Sequence, residues 1–375
     1  MPVICPSKEK EINFKMKTVI IDRGEEGKRQ TPQLLENASL PDIEAGQVLV
    51  EIKACGLSTI RIDLLQELGL HGSKAPLGRD IAGIVTHVGT GVTSCRKGDE
   101  VVAVLPLDSP CSGCAEYCVV GEYDLVVKPM RVSFQDAAAC IGDALTAYTA
   151  LQCMGKMISG DTVFVVNGAS SVGSMVVQLA QHWGGKVIAT SPSAEETSYL
   201  QNIKPQIGQI LETDEALKKY AMLNQCLEES GGLGVDCIID DGVIVFPNEE
   251  DDLTLNPARR RQLKTLPTKH EIISALAVGG RWITKQSNLQ IDPPDSRLLS
   301  LKAASICYLN DTVWTLSCQQ QGKYLHILRD IIDKLADGVI RPNITRTVSL
   351  EGVCQIYNSL EGQTLGKTIM IRDSP

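Results

Sequence analysis

Val163-Phe164-Val165-Val166-Asn167-Gly168-Ala169-Ser170-Ser171-Val172-Gly173, running on into Ser174-Met175-Val176-Val177-Gln178-Leu179-Ala180, decides how the whole chain reads. A run of β-branched and aromatic residues gives way to a glycine-bearing turn and then to an amphipathic helical pattern. A strand, turn and helix of this kind bring unpaired N–H groups and the positive end of a helix dipole to one point, which suits a pyrophosphate. Gly168, Ala169, Ser170, Ser171, Val172 and Gly173 are the candidate phosphate-binding residues. In a G-x-G-x-x-G frame Ser170 stands at the central glycine position. There its Cβ crowds the approach of a phosphate while its hydroxyl offers a donor. The same pattern also describes a tight strand-to-helix connection with no ligand, so the motif is read with its surroundings.

Outward from this stretch, strand patterns at 162–166, 186–190, 209–211, 235–240, 281–284 and 304–309 alternate with helical ones. Such alternation predicts βαβ units stacked into a doubly wound parallel sheet of the Rossmann type. The helical period sets in at Asp136; before it, from Gly46 to Pro129, short alternating runs such as Val48-Leu49-Val50-Glu51-Ile52-Lys53 and Ile81-Ala82-Gly83-Ile84-Val85 predict a small β-barrel. The fold class is therefore α/β, with a barrel domain at 1–137 to which 310–375 return and a dinucleotide-binding domain at 138–309. The last long helix, 323–336, places Tyr324, Ile327, Leu328, Ile331, Ile332 and Leu335 on one face, with Gly338 as its C-terminal cap. One segment breaks the alternation: 246–269 carries Glu249-Glu250-Asp251-Asp252, then Arg259-Arg260-Arg261, and prolines at 247, 257 and 267. It is expected to be an inserted surface loop that contacts a protein partner. The strand at 304–309 is apolar on both faces, and as a sheet edge it is expected to pair with a second copy of the chain.

A chain of 375 residues is long enough for two cores, and 43% hydrophobic with 22% charged residues is an ordinary globular balance. The net charge of −9 argues against nucleic acid as a partner, since phosphate binding draws on concentrated Lys and Arg. No apolar run reaches the length needed to span a bilayer, and the opening Met1-Pro2-Val3-Ile4-Cys5-Pro6 carries no export signal. A cytoplasmic location is expected, with the thirteen cysteines as reduced thiols and Asn37-Ala38-Ser39 and Asn343-Ile344-Thr345 unglycosylated.

The end of the second strand of the parallel sheet, Ile188-Ala189-Thr190-Ser191-Pro192-Ser193, lacks the acidic residue that would bind a free ribose 2′-hydroxyl. That leans towards NADP(H), with Thr190, Ser191 and Ser193 meeting the adenosine end, although Glu195 and Glu196 follow and no Arg or Lys stands in the turn.

Ala54-Cys55-Gly56-Leu57-Ser58, Gly78-Arg79-Asp80-Ile81-Ala82-Gly83, Lys97-Gly98-Asp99-Glu100-Val101-Val102, Ala115-Glu116-Tyr117 and Leu145-Thr146-Ala147-Tyr148 occur in this order. With them the chain resembles, from Gly46 to Ile371, the zinc-free quinone oxidoreductase-like proteins of the medium-chain dehydrogenase/reductase superfamily. The resemblance implies a GroES-like barrel beside the Rossmann domain, a two-fold dimer, and reduction of quinones or enones by hydride transfer from NADPH. Thr146 would then hold the nicotinamide-side phosphate, Ser58 would contact the substrate carbonyl, and Asp63 stands where relatives carry a proton-donating Tyr. Where zinc-dependent relatives hold their metal, this chain has Ser58 and Arg79-Asp80, and a guanidinium is no zinc ligand. Cys111, Cys114 and Cys118 overlap the Ala-Glu-Tyr strand rather than preceding it as a structural zinc lobe does, so they read as buried thiols. Lys285 follows the strand 281–284 near the expected nicotinamide position, where it would obstruct or reposition the ring. Gln290-Ile291-Asp292-Pro293-Pro294-Asp295-Ser296 and Gln320-Gln321-Gly322-Lys323-Tyr324-Leu325 resemble the zeta-crystallin-like branch. That likeness implies the alternative of a catalytically silent subunit of an early-endosomal Rab-effector complex.

Overall fold

The computed structural model describes residues 15–22, 31–59, 65, 69, 74–213, 221–244, 265–315 and 320–372. The first part of the chain forms strands β1 (Lys15–Asp22), β2 (Pro32–Ser39), β3 (Gln47–Leu57), β4 (Lys74–Pro76), β5 (Asp80–Val88), β6 (Glu100–Val104), β7 (Tyr117–Gly121) and β8 (Leu125–Val127). Helix α1 (Phe134–Tyr148) leads into β9 (Thr162–Val165), α2 (Ser171–His182), β10 (Lys186–Ser191), α3 (Ala194–Asn202), β11 (Gln209–Glu212), α4 (Ala221–Glu229) and β12 (Val235–Asp240). Then come α5 (Lys269–Ala275), β13 (Leu276–Thr284), α6 (Pro293–Leu301), β14 (Ser305–Tyr308), α7 (Gln321–Ala336), β15 (Ile344–Val348), α8 (Val353–Leu360) and β16 (Lys367–Ile371).

The strands β9 to β14 make one parallel sheet in the order β11-β10-β9-β12-β13-β14. The chain winds outward from β9 to β11 and then crosses to β12, so the order reverses beside β9. A crevice opens at the carboxyl ends of the strands on each side of such a reversal. These are the six strands expected from sequence, with β13 starting at Leu276 instead of 281. The barrel side is built from β15-β16-β3-β5-β6-β8, with β7 paired to β3, and from β2-β1-β4. The last strands of the chain thus return to the sheet of the first ones.

Helix α1 joins the two parts. Ser133 caps it by accepting the Asp136 N–H at 2.9 Å, so the helix starts just before the expected change of period, and position 137 lies within its first turn. Ala137, Ala138, Ala139, Ala144 and Ala147 are all buried. A helix apolar all round must be covered all round, and α1 packs against β3, β5, β6 and β16 as well as α2 and α7. Its alanines let sheet and helices approach closely without a large side chain between them. Helix α7 buries Tyr324, Ile327, Leu328, Ile331 and Ile332, with Leu335 packed against the same core, and Gly338 follows it at φ 74° as the expected cap.

The insertion is shorter than expected at its C-terminal end. Residues 245–264, including the acidic run and Arg259-Arg260-Arg261, lie outside the described residues. Pro267 to Lys269, however, belong to the fold: the Ile244 N–H donates to the Pro267 carbonyl at 3.0 Å, and Ile244 bridges to Thr268. Thr268 and Glu271 then form a reciprocal capping box at the start of α5. The Thr-x-x-Glu signature at 268–271 carries that start signal, and it overrides the proline and charge pattern. Among the described residues no helix is long and apolar enough to cross a membrane.

Asp240, buried at the end of β12, ties that strand to β13. Its carboxylate accepts from Thr284 Oγ1 at 2.8 Å, from the Gly242 N–H at 2.8 Å and from Trp282 Nε1. Burial pushes its pKa from the ordinary 3.8 up to about 6, with the Trp282 and Thr284 donors opposing. A carboxyl whose folded pKa is raised contributes stability that is fully present below pH about 3.8 and is lost as pH rises through about 6. In urea unfolding, the stability of wild type relative to Asp240→Asn should therefore grow by about 2–3 kcal/mol between pH 8 and pH 4. A difference that stays flat over this range rejects the assignment.

Candidate active site

The register of the barrel brings three strand ends together. On β3, Gly56 faces Asp80 of β5 and Leu57 faces Thr368 of β16. Ser58 just past β3, Arg79 just before β5 and Lys367 at the start of β16 are consequently neighbours at one end of the sheet. Ser58 is exposed there, and Asp63 lies outside the described residues.

Behind these ends sits a buried charge cluster that sequence reading missed. Lys367 Nζ lies 3.2 Å from Asp80 Oδ2, to which it donates, and 3.0 Å from Asp143 Oδ2 on α1. Asp143 Oδ2 receives no aligned hydrogen bond, so its hold on Lys367 is mainly coulombic. Burial pushes the Asp80 carboxyl up, Lys367 opposes the shift, and Asp143 adds to it. For Lys367 burial works against the charge, but Asp143 and Asp80 outweigh it and hold the ammonium above the usual lysine range. Gly142 and Gly56 are required by this contact: a Cβ at Gly142 would stand 2.2 Å from Asp80 Oδ1, and one at Gly56 would stand 2.6 Å from the Ala138 carbonyl. A lone Asp next to Gly in an alanine-rich helix was the available signal.

Arg79 is held by the chain opposite. Its Nε donates to the Leu105 carbonyl at 2.7 Å, and the Leu105 N–H donates back to the Arg79 carbonyl at 2.8 Å. No other hydrogen bond or ion pair to its guanidinium is found among the described residues. A hydroxyl, a guanidinium and a carboxylate already bound to Lys367 do not form a zinc ligand set. Cys111, Cys114 and Cys118 are buried, as is Cys55 beside them. A hydrogen bond that the Cys55 thiol donates to Cys114, together with burial, pushes Cys55 up, and burial does the same to Cys111 and Cys118. Among the described residues no three His, Cys, Asp or Glu side chains are placed to hold a metal ion.

The glycine-bearing turn after β9 has the expected shape. Asn167 adopts φ 55°, and a Cβ at Gly168 would come within 2.7 Å of the Ala189 Cβ, one at Gly173 within 2.3 Å of the Asn167 carbonyl. Both glycines are thus demanded by helix–strand packing alone. Ser170 caps α2, its Oγ accepting the Gly173 N–H at 3.0 Å. The expected hydroxyl donor is here an acceptor, and it occupies one of the N–H groups a phosphate would use. The Val172 N–H and the buried Asn167 Oδ1 have no partner among the described residues, while the Ser171 N–H faces the Gly366 carbonyl across the parallel bridge of Ser170 with Gly366. A free donor at a helix start fits a phosphate, and the unpartnered Asn167 Oδ1, an acceptor, calls for a donor such as a sugar hydroxyl.

The other expected contacts are occupied internally. Thr146 Oγ1 donates to the Gly142 carbonyl at 3.0 Å, and Thr190 Oγ1 accepts the Asn167 N–H at 2.8 Å. Ser191 Oγ donates to the Ser193 carbonyl and accepts from Thr197 Oγ1, both at 3.0 Å, while Ser193 caps α3 by accepting the Glu196 N–H at 3.3 Å. Two contacts cross from the barrel side to this region: the Gly366 N–H donates to the Ala169 carbonyl at 3.3 Å, and Thr364 Oγ1 donates to Glu196 Oε1 at 2.7 Å. Lys285, past the end of β13, pairs with Asp241 at 3.1 Å. Burial disfavours its charge, but Asp241 and Asp311, with Asp143 behind them, hold its pKa up.

With this geometry in place, the likeness to known proteins is informative. Residues 44–153 match the alcohol dehydrogenase GroES-like domain. The chain is 43% identical to Quinone oxidoreductase-like protein 1 of Mus musculus over 315 residues, 84% of this chain and 88% of that protein. The chain belongs to the quinone oxidoreductase-like family of medium-chain dehydrogenase/reductases. Quinone oxidoreductase of Homo sapiens is 24% identical over 90% of this chain and 93% of its own. The fold matches a mycobacterial quinone oxidoreductase with TM-score 0.72 at 20% identity, over 95% of this chain and 100% of the other. A mycobacterial protein solved in complex with NADPH matches with TM-score 0.73 at 19% identity, over 95% and 100% of the two chains.

Lys367→Met leaves two buried carboxylates without their cation and should cost about 3–5 kcal/mol in urea unfolding. Adding Asp143→Asn should restore about half of the loss, since one of the two uncompensated charges is then gone. Equal destabilisation with and without Asp143→Asn would show that packing, not charge, is what Lys367 supplies.

Proposed function

We propose that this protein is a cytoplasmic, zinc-independent reductase of quinones or enones that uses a nicotinamide dinucleotide. The observation that carries the reading is the turn after β9, where the Val172 N–H and the buried Asn167 Oδ1 stand unpartnered at the helix start. Family membership supports it, as does the likeness to a protein solved with NADPH. A bound dinucleotide supplies the hydride. The chain's own residues place it: the Val172 N–H donates to the pyrophosphate, and Thr146 rotates out of its helix bond to meet the nicotinamide-side phosphate. Ser58, exposed at the end of β3, donates to the substrate carbonyl oxygen, and the uncommitted face of the Arg79 guanidinium next to it favours negative charge developing there. The chemistry requires no metal at these residues, and elemental analysis after dialysis should find well below one zinc per chain.

A second reading, a catalytically silent subunit of an endosomal assembly, is favoured by one set of contacts. The hydroxyls of Thr146, Thr190, Ser191 and Ser193 are bonded within the protein, and Ser170 takes the Gly173 N–H. Fluorescence titration with NADPH followed by a quinone turnover assay separates the two. Saturable binding with turnover supports the reductase, and binding without turnover supports the silent subunit. In either case Ser170→Gly frees the Gly173 N–H for phosphate and should tighten dinucleotide binding about 5-fold. Unchanged or weaker binding would mean that the Ser170 hydroxyl itself is a ligand.

For the assembly, we propose a two-fold dimer through β14. This strand closes the parallel sheet on one side, pairs only with β13 among the described residues, and exposes Tyr308. Light scattering at micromolar concentration should return twice the chain mass, and a monomer would remove the proposal.

A further inference from the structure

We infer that Glu196 makes the adenosine end of the site select a dinucleotide without a 2′-phosphate, NAD(H) over NADP(H). The inference rests on the dinucleotide reading and reverses the lean drawn from the sequence. That lean followed from the absence of an acidic residue at the end of the strand itself. In the structure the carboxylate arrives from the first turn of the following helix.

The placement follows from the sheet. Strands β9 and β10 are neighbours, so a dinucleotide whose pyrophosphate lies on the turn after β9 carries its adenosine ribose past the end of β10. The turn at β10 is tied to the β9 turn directly, by the Gly168 N–H donating to the Thr190 carbonyl at 3.0 Å and the Asn167 N–H to Thr190 Oγ1 at 2.8 Å. Ser193 ends that turn and caps α3, and Glu196 lies one turn in, only 4% exposed. Its Oε1 accepts from Thr364 Oγ1 at 2.7 Å, which keeps the carboxylate at the rim shared by the two halves of the chain instead of in solvent.

The electrostatics point one way. The groups acting on Glu196 are burial, which raises its pKa, hydrogen bonds to Thr364 and Ser193, which lower it, and Glu195, which raises it. No cation is among them. A 2′-phosphate brings about −1.5 to −2 charges and needs guanidinium or ammonium partners. Here it meets a buried carboxylate with a second carboxylate beside it. A free 2′-hydroxyl instead donates to a carboxylate, in the role an acidic residue plays for NAD in sheets of this type.

The test titrates the full-length protein with NADH and with NADPH by calorimetry, then repeats both titrations on Glu196→Gln and Glu196→Lys. Gln retains the size and the capping hydrogen bond of Glu at this helix position, and thermal unfolding checks that both variants fold. Wild type should bind NADH about 10-fold tighter than NADPH, Gln should bring the ratio close to unity, and Lys should invert it. Equal or tighter NADPH binding by wild type overturns the inference, as does a ratio unmoved in folded Glu196→Gln, and both leave dinucleotide binding standing. Absence of binding by either coenzyme removes the dinucleotide reading and the inference with it.

Discussion

Three buried charges from three separate elements fix how the parts of this chain meet. Asp80 opens β5, Asp143 lies on α1 and Lys367 opens β16, and none of them reaches water to any useful extent. Taking such groups out of solvent costs several kcal/mol each, which a single cation between two anions only partly offsets. The cluster is thus a poor source of net stability and a strict constraint on geometry. It forms only if α1 lies against the sheet closely enough to bring Asp143 to Lys367, and the two glycines at positions 56 and 142 are what allow that approach. Helix α1 in turn carries α2 and α7 on its other side, so the position of the parallel sheet relative to the barrel is set from the same place.

This constraint reaches the glycine-bearing turn after β9 through β16. Gly366 immediately precedes Lys367 and donates to the Ala169 carbonyl, and two residues earlier Thr364 holds Glu196. The Gly-bearing turn is therefore braced from the barrel side, not only by its own strand and helix. Its glycines would be needed with or without a ligand, since both are required by packing. Their presence says little about function; the unpartnered Val172 N–H and Asn167 Oδ1 say more.

The fold was largely legible in the sequence, because its signals are local. Period-two runs marked the barrel strands, and alternation with helical periods marked β9 to β14. Gly338 marked the end of α7 through a positive φ that the residue type anticipates. The insertion boundary failed for an equally local reason, a capping box at Thr268 and Glu271 masked by neighbouring charge and proline. The site was legible only as a set of residue types. Ser58, Arg79 and the turn 168–173 could be named, but the hydrogen-bond state of each hydroxyl could not. The pairing of Lys367 with Asp80 spans 287 positions, and no pattern along the chain announces it. Glu196 follows the strand end too late to read as its acidic residue, and Thr364, from the far end of the sequence, is what holds it at the turn.

The site's chemistry follows from where its charges are spent. Of the cations near the strand ends, Lys367 is consumed by two carboxylates and Lys285 is paired with Asp241. Lys285 therefore need not project freely into the nicotinamide position, since Asp241, Asp311 and Asp143 draw its charge towards the protein. Arg79 alone is anchored by one nitrogen to a backbone carbonyl, with no carboxylate partner among the described residues. A guanidinium held in this way retains donors in a fixed plane, whereas a paired one has already committed them. The Arg79 guanidinium thus offers a permanent positive charge at the strand ends where the exposed Ser58 lies.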